Sequence, residues 1–191
     1  MYILGLNAYH ADASACLFYK DKIIAATEEE RFVRIKHWAG FPINSIKFCL
    51  TEANISINDV DHITIGRDPK AKIIEKLKYT ISSKVGIRSL VNRYLNQSKV
   101  FSIKQELSRA LLINRAEINA KIWNIEHHRS HMASTFFASP YNEAAILTID
   151  GSGDFTTSMI GIGHDKKIKI FGSVNYPVSL GTFYTDRKSV V

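Results

Sequence analysis

The sequence predicts a mixed α/β fold, and two observations lead to that prediction. Three short apolar segments near the N-terminus are separated only by brief polar breaks, a pattern typical of a β-meander. A helical segment and a further apolar strand follow them, which is the order of elements expected for a mixed sheet. The chain has 191 residues, of which 46% are hydrophobic, so it is one domain or a little more and can bury a core.

The first part of the chain supplies these elements in order. The three meander strands are predicted at Tyr2–Ala8, Ala13–Tyr19 and Lys22–Glu30. A helix is predicted from Pro42, a residue favoured at the first helical position, because the apolar residues after it recur at helical spacing: Ile43, Ile46, Leu50 and Ala53. The chain then returns as a strand at Val60–Gly66.

The segment from about 69 to 115 is predicted to be a basic, helical insertion. Apolar residues recur there at helical spacing in three stripes, around Ile73, Leu90 and Leu107. Between Arg67 and Arg115 there are twelve Lys or Arg residues against three acids. Such a segment is either the solvated face of helices or a surface for a polyanion such as nucleic acid. No DNA- or RNA-binding motif accompanies it, so nucleic acid is not an expected partner.

The later part of the chain is predicted to be rich in strands. Ile122–Glu126 is a strand that leads into a histidine-containing segment. Ala144–Asp150 is predicted as a buried strand, because it is almost entirely apolar until its last residue. Two further antiparallel strands are predicted in the segments FTTSMIGIGH and KIKIFGSVNY.

The composition indicates a cytoplasmic protein. The two cysteines, Cys16 and Cys49, lie in apolar runs and form no disulfide framework, which favours a reducing compartment. The N-terminal residues lack the basic and apolar regions of a signal peptide. No run approaches the roughly eighteen apolar residues of a membrane span, so no membrane partner is expected.

His127 and His131 are candidate metal ligands. They are four residues apart, so on a helix their rings share one face and can bind one ion. Asp150 ends an apolar strand, and strand ends meet helix starts at one edge of an α/β sheet, so it could supply a third ligand. Two histidines and a carboxylate suit Fe(II) or Zn²⁺. The alternative is that His127, His128 and His131 only cap a helix and bond to nearby backbone, and spacing alone leaves both possibilities open.

Three other segments are candidates for binding or catalysis. The DGSGD segment, Asp150–Asp154, has two glycines that allow backbone amides to approach an anion, and an ordinary hairpin turn is the alternative. His10, in the first hairpin turn, is either solvated or catalytic. The segment Glu29–Pro42 carries groups that either bind a phosphate or are simply solvated: Arg31, Arg34, Lys36 and His37.

Four segments together resemble the carbamoyltransferase family typified by nodulation-factor and antibiotic O-carbamoyltransferases. They occur in the family's order and span almost all of Ile3–Tyr184: ILGLNAYHADASACL, EERFVRIKHWAGFP, EHHRSHMASTFFASPYNEAAILTIDGSGD and SLGTFY. The resemblance implies an actin/sugar-kinase/Hsp70-like (RNase H-like) ATPase fold, similar to that of the tRNA threonylcarbamoylation enzyme.

The resemblance also implies an activity. Enzymes of this family form carbamoyl-adenylate from carbamoyl phosphate and ATP in a second, C-terminal domain. They pass the carbamoyl group to a hydroxyl of a small molecule or sugar in the first domain. The implied partners are therefore carbamoyl phosphate, ATP, a hydroxyl-bearing acceptor and the C-terminal domain in cis, which is absent from these 191 residues.

Site residues follow from the same resemblance. His127, His131 and Asp150 match the family's iron ligands, and a further Asp ligand is expected downstream. Fe(II) or another divalent metal bound there would hold the phosphate of the intermediate. His10 matches the catalytic histidine, and the ordinary pKa of a histidine, near neutrality, suits a general base. The remaining matched positions imply binding of the intermediate: Gly151, Ser152, Gly153, Asp154, Lys36 and Arg31.

The resemblance implies boundaries as well. Residues 1–185 correspond to the N-terminal half of the family's N-terminal domain, so the fragment alone is expected to be inactive. Residues 186–191 are expected to be a non-native tail, because the common sequencing-adapter string GATCGGAAGAGCGTCGTG encodes DRKSVV. The alternatives to a carbamoyltransferase are a tRNA threonylcarbamoyl-transfer-type enzyme and a non-catalytic, metal-binding actin-like module.

Overall fold

The computed structural model describes residues 1–82 and 103–188, with side chains as far as 186. These residues form two compact units, the first made of 1–66 and 103–124, the second of 67–82 and 125–188. The predicted helical stripe around Leu90 lies outside the described residues. None of the helices described is long and apolar enough to cross a membrane.

The strands lie where the sequence predicts them, with small shifts at their ends. They are β1 Tyr2–Asn7, β2 Ser14–Tyr19, β3 Lys22–Glu28, β4 His62–Ile65, β5 Lys121–Asn124, β6 Glu143–Gly153, β7 Thr156–His164 and β8 Lys167–Asn175. The α-helices of the described residues are α1 Glu30–Val33, α2 Ile43–Glu52, α3 Ile73–Ser82, α4 Ile103–Leu111, α5 His127–Phe137 and α6 Leu180–Lys188.

The first unit is built on a five-stranded mixed sheet with the order β3-β2-β1-β4-β5. β1 pairs antiparallel with β2, and β2 pairs antiparallel with β3, so the predicted meander is confirmed. On the other side of β1, β4 and then β5 are added in parallel. An antiparallel meander extended by parallel strands beside its first strand is the sheet order of the actin-like, RNase H-like ATPase fold, so the predicted fold class is confirmed.

The core of the first unit combines alternate sheet residues with one face of each of two helices. Leu4, Leu17 and Ile63 from the sheet are 0% exposed, and Ile46 from α2 and Leu107 from α4 are 1% and 0% exposed. They belong to one continuous cluster. Burying a side chain of this size contributes about 1.5–3 kcal/mol, so these side chains hold α2 and α4 to the sheet.

A buried carboxylate fixes the segment that joins β3 to α2. Glu29 is 2% exposed and accepts four hydrogen bonds, from the backbone amide and side chain of Asn44 and from the amide and hydroxyl of Ser45, at 2.7–3.1 Å. A buried charge needs such bonds, and the first turn of α2 supplies free amides and a favourable dipole. Glu29 therefore anchors the start of the EERFVRIKHWAGFP segment.

The second unit contains the antiparallel sheet β6-β7-β8 with α5 packed on one face. Met132 and Phe136 of α5 contact Ile146 and Met159 of the sheet. Gly163 of β7 lies directly beneath the helix, where an added Cβ would come within 2.5 Å of the Phe136 ring. The missing side chain lets the helix approach the strand closely.

The prediction that β6 is a fully buried strand is wrong for one of its faces. Ile146 and Thr148 are 5% and 8% exposed, whereas Leu147 and Ile149 are 63% and 50% exposed. Successive side chains of a strand point to opposite faces, and α5 covers only the face that carries Ile146. An apolar run therefore does not distinguish a strand covered on both faces from one covered on a single face.

The hairpin turn between β6 and β7 lies later than the glycines of DGSGD suggest. Asp154 and Phe155 have φ values of 52° and 78°, and Gly153 pairs with Thr156. This is a two-residue hairpin loop with both central residues at positive φ. The β6–β7 register shifts between Ile149 and Gly153, so residues 150–152 form an irregular end to β6.

Candidate metal centre

The first turn of α5 is held by two carboxylates. Glu126, which precedes the helix, accepts a hydrogen bond from the amide of Arg129 at 3.2 Å. Asp154 accepts from the amides of His127 and Asp68, at 3.0 and 2.7 Å. Carboxylates are favoured at a helix N-terminus because the first amides there have no partner within the helix. Asp154, predicted to bind the intermediate, thus also fixes the backbone of a candidate metal ligand.

The three predicted metal ligands converge at the end of β6. Nε2 of His127 lies 2.8 Å from Oδ2 of Asp150 and 3.0 Å from Nε2 of His131. Nε2 of His131 lies 3.9 Å from Oδ2 of Asp150. Ligand atoms about 2.1 Å from one ion, at angles of about 90–110°, are roughly 3.0–3.4 Å apart. The observed triangle is close to that geometry.

Nε2 of His127 makes two short contacts that hydrogen bonds cannot satisfy together. A ring nitrogen carries either one hydrogen or one lone pair, directed along one line. If it donates to Asp150, it has no lone pair for His131, and if it accepts from His131, it faces the carboxylate without a hydrogen. A cation satisfies all three atoms at once, because each then offers a lone pair. The donor set therefore fits a divalent metal, with Fe(II) or Zn²⁺ favoured by ligand type.

The three candidate ligands differ in exposure, and the carboxyl group among them has a lowered pKa. His127 is 15% exposed, whereas Asp150 and His131 are 39% and 52% exposed. Partial burial raises the pKa of Asp150, but the bonds from His127 and from the Gly151 amide outweigh it, so the pKa lies below its usual value. A ligand must be deprotonated to bind a metal, and this direction of the pKa means that the carboxyl group is already ionised in the metal-free site.

Of the two glycines of DGSGD, Gly153 is required for close packing against a candidate ligand. A Cβ on Gly153 would lie 2.0 Å from Cδ2 of His127, so only glycine leaves room for the ring. The amide of Gly151 donates to Oδ1 of Asp150 at 2.6 Å. None of the described glycines has a positive φ. The predicted contact of Gly151, Ser152 and Gly153 with a phosphate stays a prediction.

His128, between the two candidate ligands, is a structural residue, and one of its two bonds is to backbone, as the alternative to a metal site predicts. It is 0% exposed, with Nδ1 2.7 Å from Oγ1 of Thr148 and Nε2 3.0 Å from the carbonyl of Thr156. A carbonyl only accepts, so Nε2 carries the hydrogen and Nδ1 accepts from the threonine hydroxyl. Burial lowers the pKa of His128. The neutral ring thus anchors α5 to the sheet; only the tertiary contacts reveal this.

The other predicted site residues belong to the first unit and are exposed. His10 lies in the β1–β2 turn, Arg31 in α1, and Lys36 in the segment that follows α1. In the same region Nδ1 of His37 lies 2.8 Å from Oδ1 of Asp12. This pair, which joins the two loops, was not predicted. The roles of His10, Arg31 and Lys36 stay predictions.

The sequence is similar to those of several curated proteins along almost its whole length. An uncharacterized protein of Synechocystis sp. is 36% identical over 192 residues, which cover 96% of this chain and 31% of that protein. The nodulation protein NolNO of Sinorhizobium fredii is 30% identical, with 94% of this chain and 25% of the relative covered. The chain therefore spans between a quarter and a third of the length of these curated relatives.

Among solved structures, YeaZ from Pseudomonas aeruginosa is similar with a TM-score of 0.47 and 15% identity, covering 99% of this chain and 81% of that one. The family described as carbamoyltransferase N-terminus matches residues 2–188. Since that match covers almost the whole sequence, the chain belongs to the carbamoyltransferase family, to its N-terminal part.

Proposed function

We propose that the intact protein containing this chain is an O-carbamoyltransferase. The chain would provide its metal site and, in the β1–β2 turn, the histidine that acts on the acceptor hydroxyl. The observation that carries this proposal is the cluster of His127, His131 and Asp150 in a member of the family. The substrates would be carbamoyl phosphate and ATP, which form carbamoyl-adenylate, and a small molecule or sugar with a free hydroxyl.

The residues of the chain divide into two roles. His127, His131 and Asp150 would hold Fe(II) or another divalent ion through their lone pairs, and the lowered pKa of Asp150 keeps its carboxylate available. When bound, the ion supplies positive charge to the phosphate of the carbamoyl-adenylate. Gly153 leaves the space that the His127 ring occupies beside the other two ligands, so binding would need little rearrangement.

The transfer step needs a base and a leaving group. His10 would take the proton of the acceptor hydroxyl, whose oxygen forms a bond to the carbamoyl carbon. The bond between that carbon and the phosphate oxygen breaks, and AMP leaves with the electron pair. Arg31 and Lys36 are exposed cations of the unit that carries His10, and they would attract the anionic intermediate.

The test compares the intact protein with its His131→Ala variant. We expect the variant to lose bound metal and transfer of a carbon-14-labelled carbamoyl group, while ATP turnover that depends on carbamoyl phosphate continues. His164→Ala is the matched control, because His164 is 65% exposed and contacts Glu143 and Asp165 rather than the candidate ligands. Unchanged metal content in His131→Ala would contradict the ligand assignment.

A second candidate function is transfer of a threonylcarbamoyl group to tRNA, favoured by the basic Arg67–Arg115 segment. Residues 83–102 of that segment lie outside the described structure. Binding of tRNA whose affinity falls steeply with salt would support this alternative. Bound metal with neither activity would instead leave a non-catalytic metal-binding module.

A further inference from the structure

The SLGTFY segment, 179–184, has no role in the function proposed so far. Ser179 immediately precedes α6, and its Oγ accepts a hydrogen bond from the amide of Thr182 at 3.0 Å. Serine is among the residues preferred at this position, because its oxygen satisfies an amide that the helix leaves free. On this contact alone, Ser179 would be an ordinary helix cap.

The same hydroxyl also faces the backbone of a candidate metal ligand. Oγ of Ser179 lies 3.0 Å from the carbonyl oxygen of Asp150 and 2.8 Å from that of Gly151. A hydroxyl has one hydrogen and two lone pairs. One lone pair accepts the hydrogen bond from the Thr182 amide, and the single hydrogen is shared between the two carbonyls. Ser179 therefore joins the start of α6 to the end of β6.

Gly181 brings the helix still closer to the same peptide. A Cβ on this residue would lie 2.4 Å from the carbonyl carbon of Asp150, 2.5 Å from its oxygen and 2.6 Å from the nitrogen of Gly151. These are backbone atoms, which cannot rotate aside as the end of a side chain can. Any side chain at position 181 would therefore push α6 away from Asp150 or displace Asp150 itself.

The peptide at Asp150 needs such support because the sheet does not provide it. The ladder between β6 and β7 pairs Ile149 with Ser158 and resumes only at Gly153 with Thr156. Asp150 thus lies in the irregular stretch where β6 has no regular register with its neighbour. An irregular strand end leaves backbone groups without ladder partners, and the carbonyls of 150 and 151 find theirs in Ser179.

We infer that Ser179 and Gly181 are positioning residues for the metal ligand Asp150. This inference rests on the proposed metal site and gives the SLGTFY segment a role in it. The hydroxyl of Ser179 holds the carbonyls beside Asp150, and the bare Cα of Gly181 lets α6 lie against them. Together they fix the direction in which the Asp150 carboxylate faces His127 and His131.

The test measures Co(II) binding by the 191-residue chain, with the metal's visible absorption as a report on ligand geometry. The key variant is Ser179→Gly, because glycine is nearly as good a helix cap as serine but has no hydroxyl. We expect affinity about 10-fold weaker, at the lower end of losses from removing groups that support ligands, and an altered spectrum. Ser179→Thr keeps the hydroxyl and should restore both.

Gly181→Ala is the second variant, and we expect a loss of affinity at least as large, because its Cβ overlaps backbone. Thermal unfolding without metal separates loss of fold from loss of positioning. Wild-type affinity and spectrum in both Ser179→Gly and Gly181→Ala would overturn the inference, even if their melting temperatures fall. A wild-type chain that binds no Co(II), like His131→Ala, would instead refute the metal site on which the inference rests.

Discussion

Replacing Gly153 with alanine tests whether the His127 ring must stay where the structure places it. Gly153 closes β6, and the His127 ring lies against its Cα. An added Cβ would lie 2.0 Å from Cδ2, 2.2 Å from Cγ and 2.7 Å from Nε2 of that ring. The ring also contacts Asp150 at 2.8 Å, so a displacement of the ring would disturb that contact.

The size of the overlap sets the expected effect. Carbon atoms in contact are roughly 3.5 Å apart, so the ring would have to move by about 1.5 Å, well beyond the ~0.5 Å precision that binding sites need. We expect metal affinity to fall by about 10- to 100-fold. Overpacking should lower the free energy of unfolding by about 1–3 kcal/mol.

The assay is titration of the chain with Co(II), combined with urea unfolding in the absence of metal. Gly151→Ala is the matched control from the same segment, because its Cβ would meet only Oγ1 of Thr182, at 3.9 Å, an ordinary contact. Neither glycine has a positive φ, so backbone strain does not distinguish the two. If Gly153→Ala bound metal as tightly as Gly151→Ala, the argument from ring packing would be wrong.

Two further predictions concern stability. His128→Ala should lower the free energy of unfolding by about 2–4 kcal/mol in urea titrations, because the hydroxyl of Thr148 and the carbonyl of Thr156 lose buried partners; a loss below about 1 kcal/mol would contradict the anchoring role. Burial raises the pKa of Cys49 from 9.0 to about 11, so the folded chain keeps the thiol protonated where the unfolded chain ionises. The protonated thiol therefore contributes to the free energy of unfolding fully below pH 9, and the contribution is lost as the pH rises through 11. In urea titrations between pH 8 and pH 11, the free energy of unfolding should fall less for Cys49→Ala, which lacks the thiol, than for wild type.

The strands and the helices α2, α3 and α4 could be predicted because their signals are local, whereas α1 and α6 were not predicted. Short apolar segments with polar breaks predict the meander. Apolar residues at helical spacing, beginning after Pro42, predict α2. The spacing of His127 and His131 fixes their common face once α5 forms. These features depend on neighbours in the sequence, so the sequence alone is sufficient to locate them.

The remaining features depend on residues that are distant in the sequence. Leu147 is exposed because α5 does not cover its face of the sheet. The position of the hairpin turn depends on the register between β6 and β7. Glycines drew attention to residues 151–153, whereas the positive φ values fall on Asp154 and Phe155. His128 and Ser179 act through contacts made only when β6, α5 and α6 have packed, so a single sequence carries no direct signal of their roles.

The candidate metal site lies where regular structure stops, and that explains why so many contacts surround it. At Asp150 the ladder of β6 is interrupted, which frees a carboxylate to face the helix but leaves its backbone in need of other partners. His127 is the first residue of a helix, so its amide has no partner within the helix, and it donates to the carboxylate of Asp154 instead. Both ligands are therefore held from outside their own elements, whereas His131, one turn into α5, takes its position from the helix itself. We therefore expect metal binding to be sensitive to changes at Gly153, Asp154 and Ser179, none of which is among the three candidate ligands.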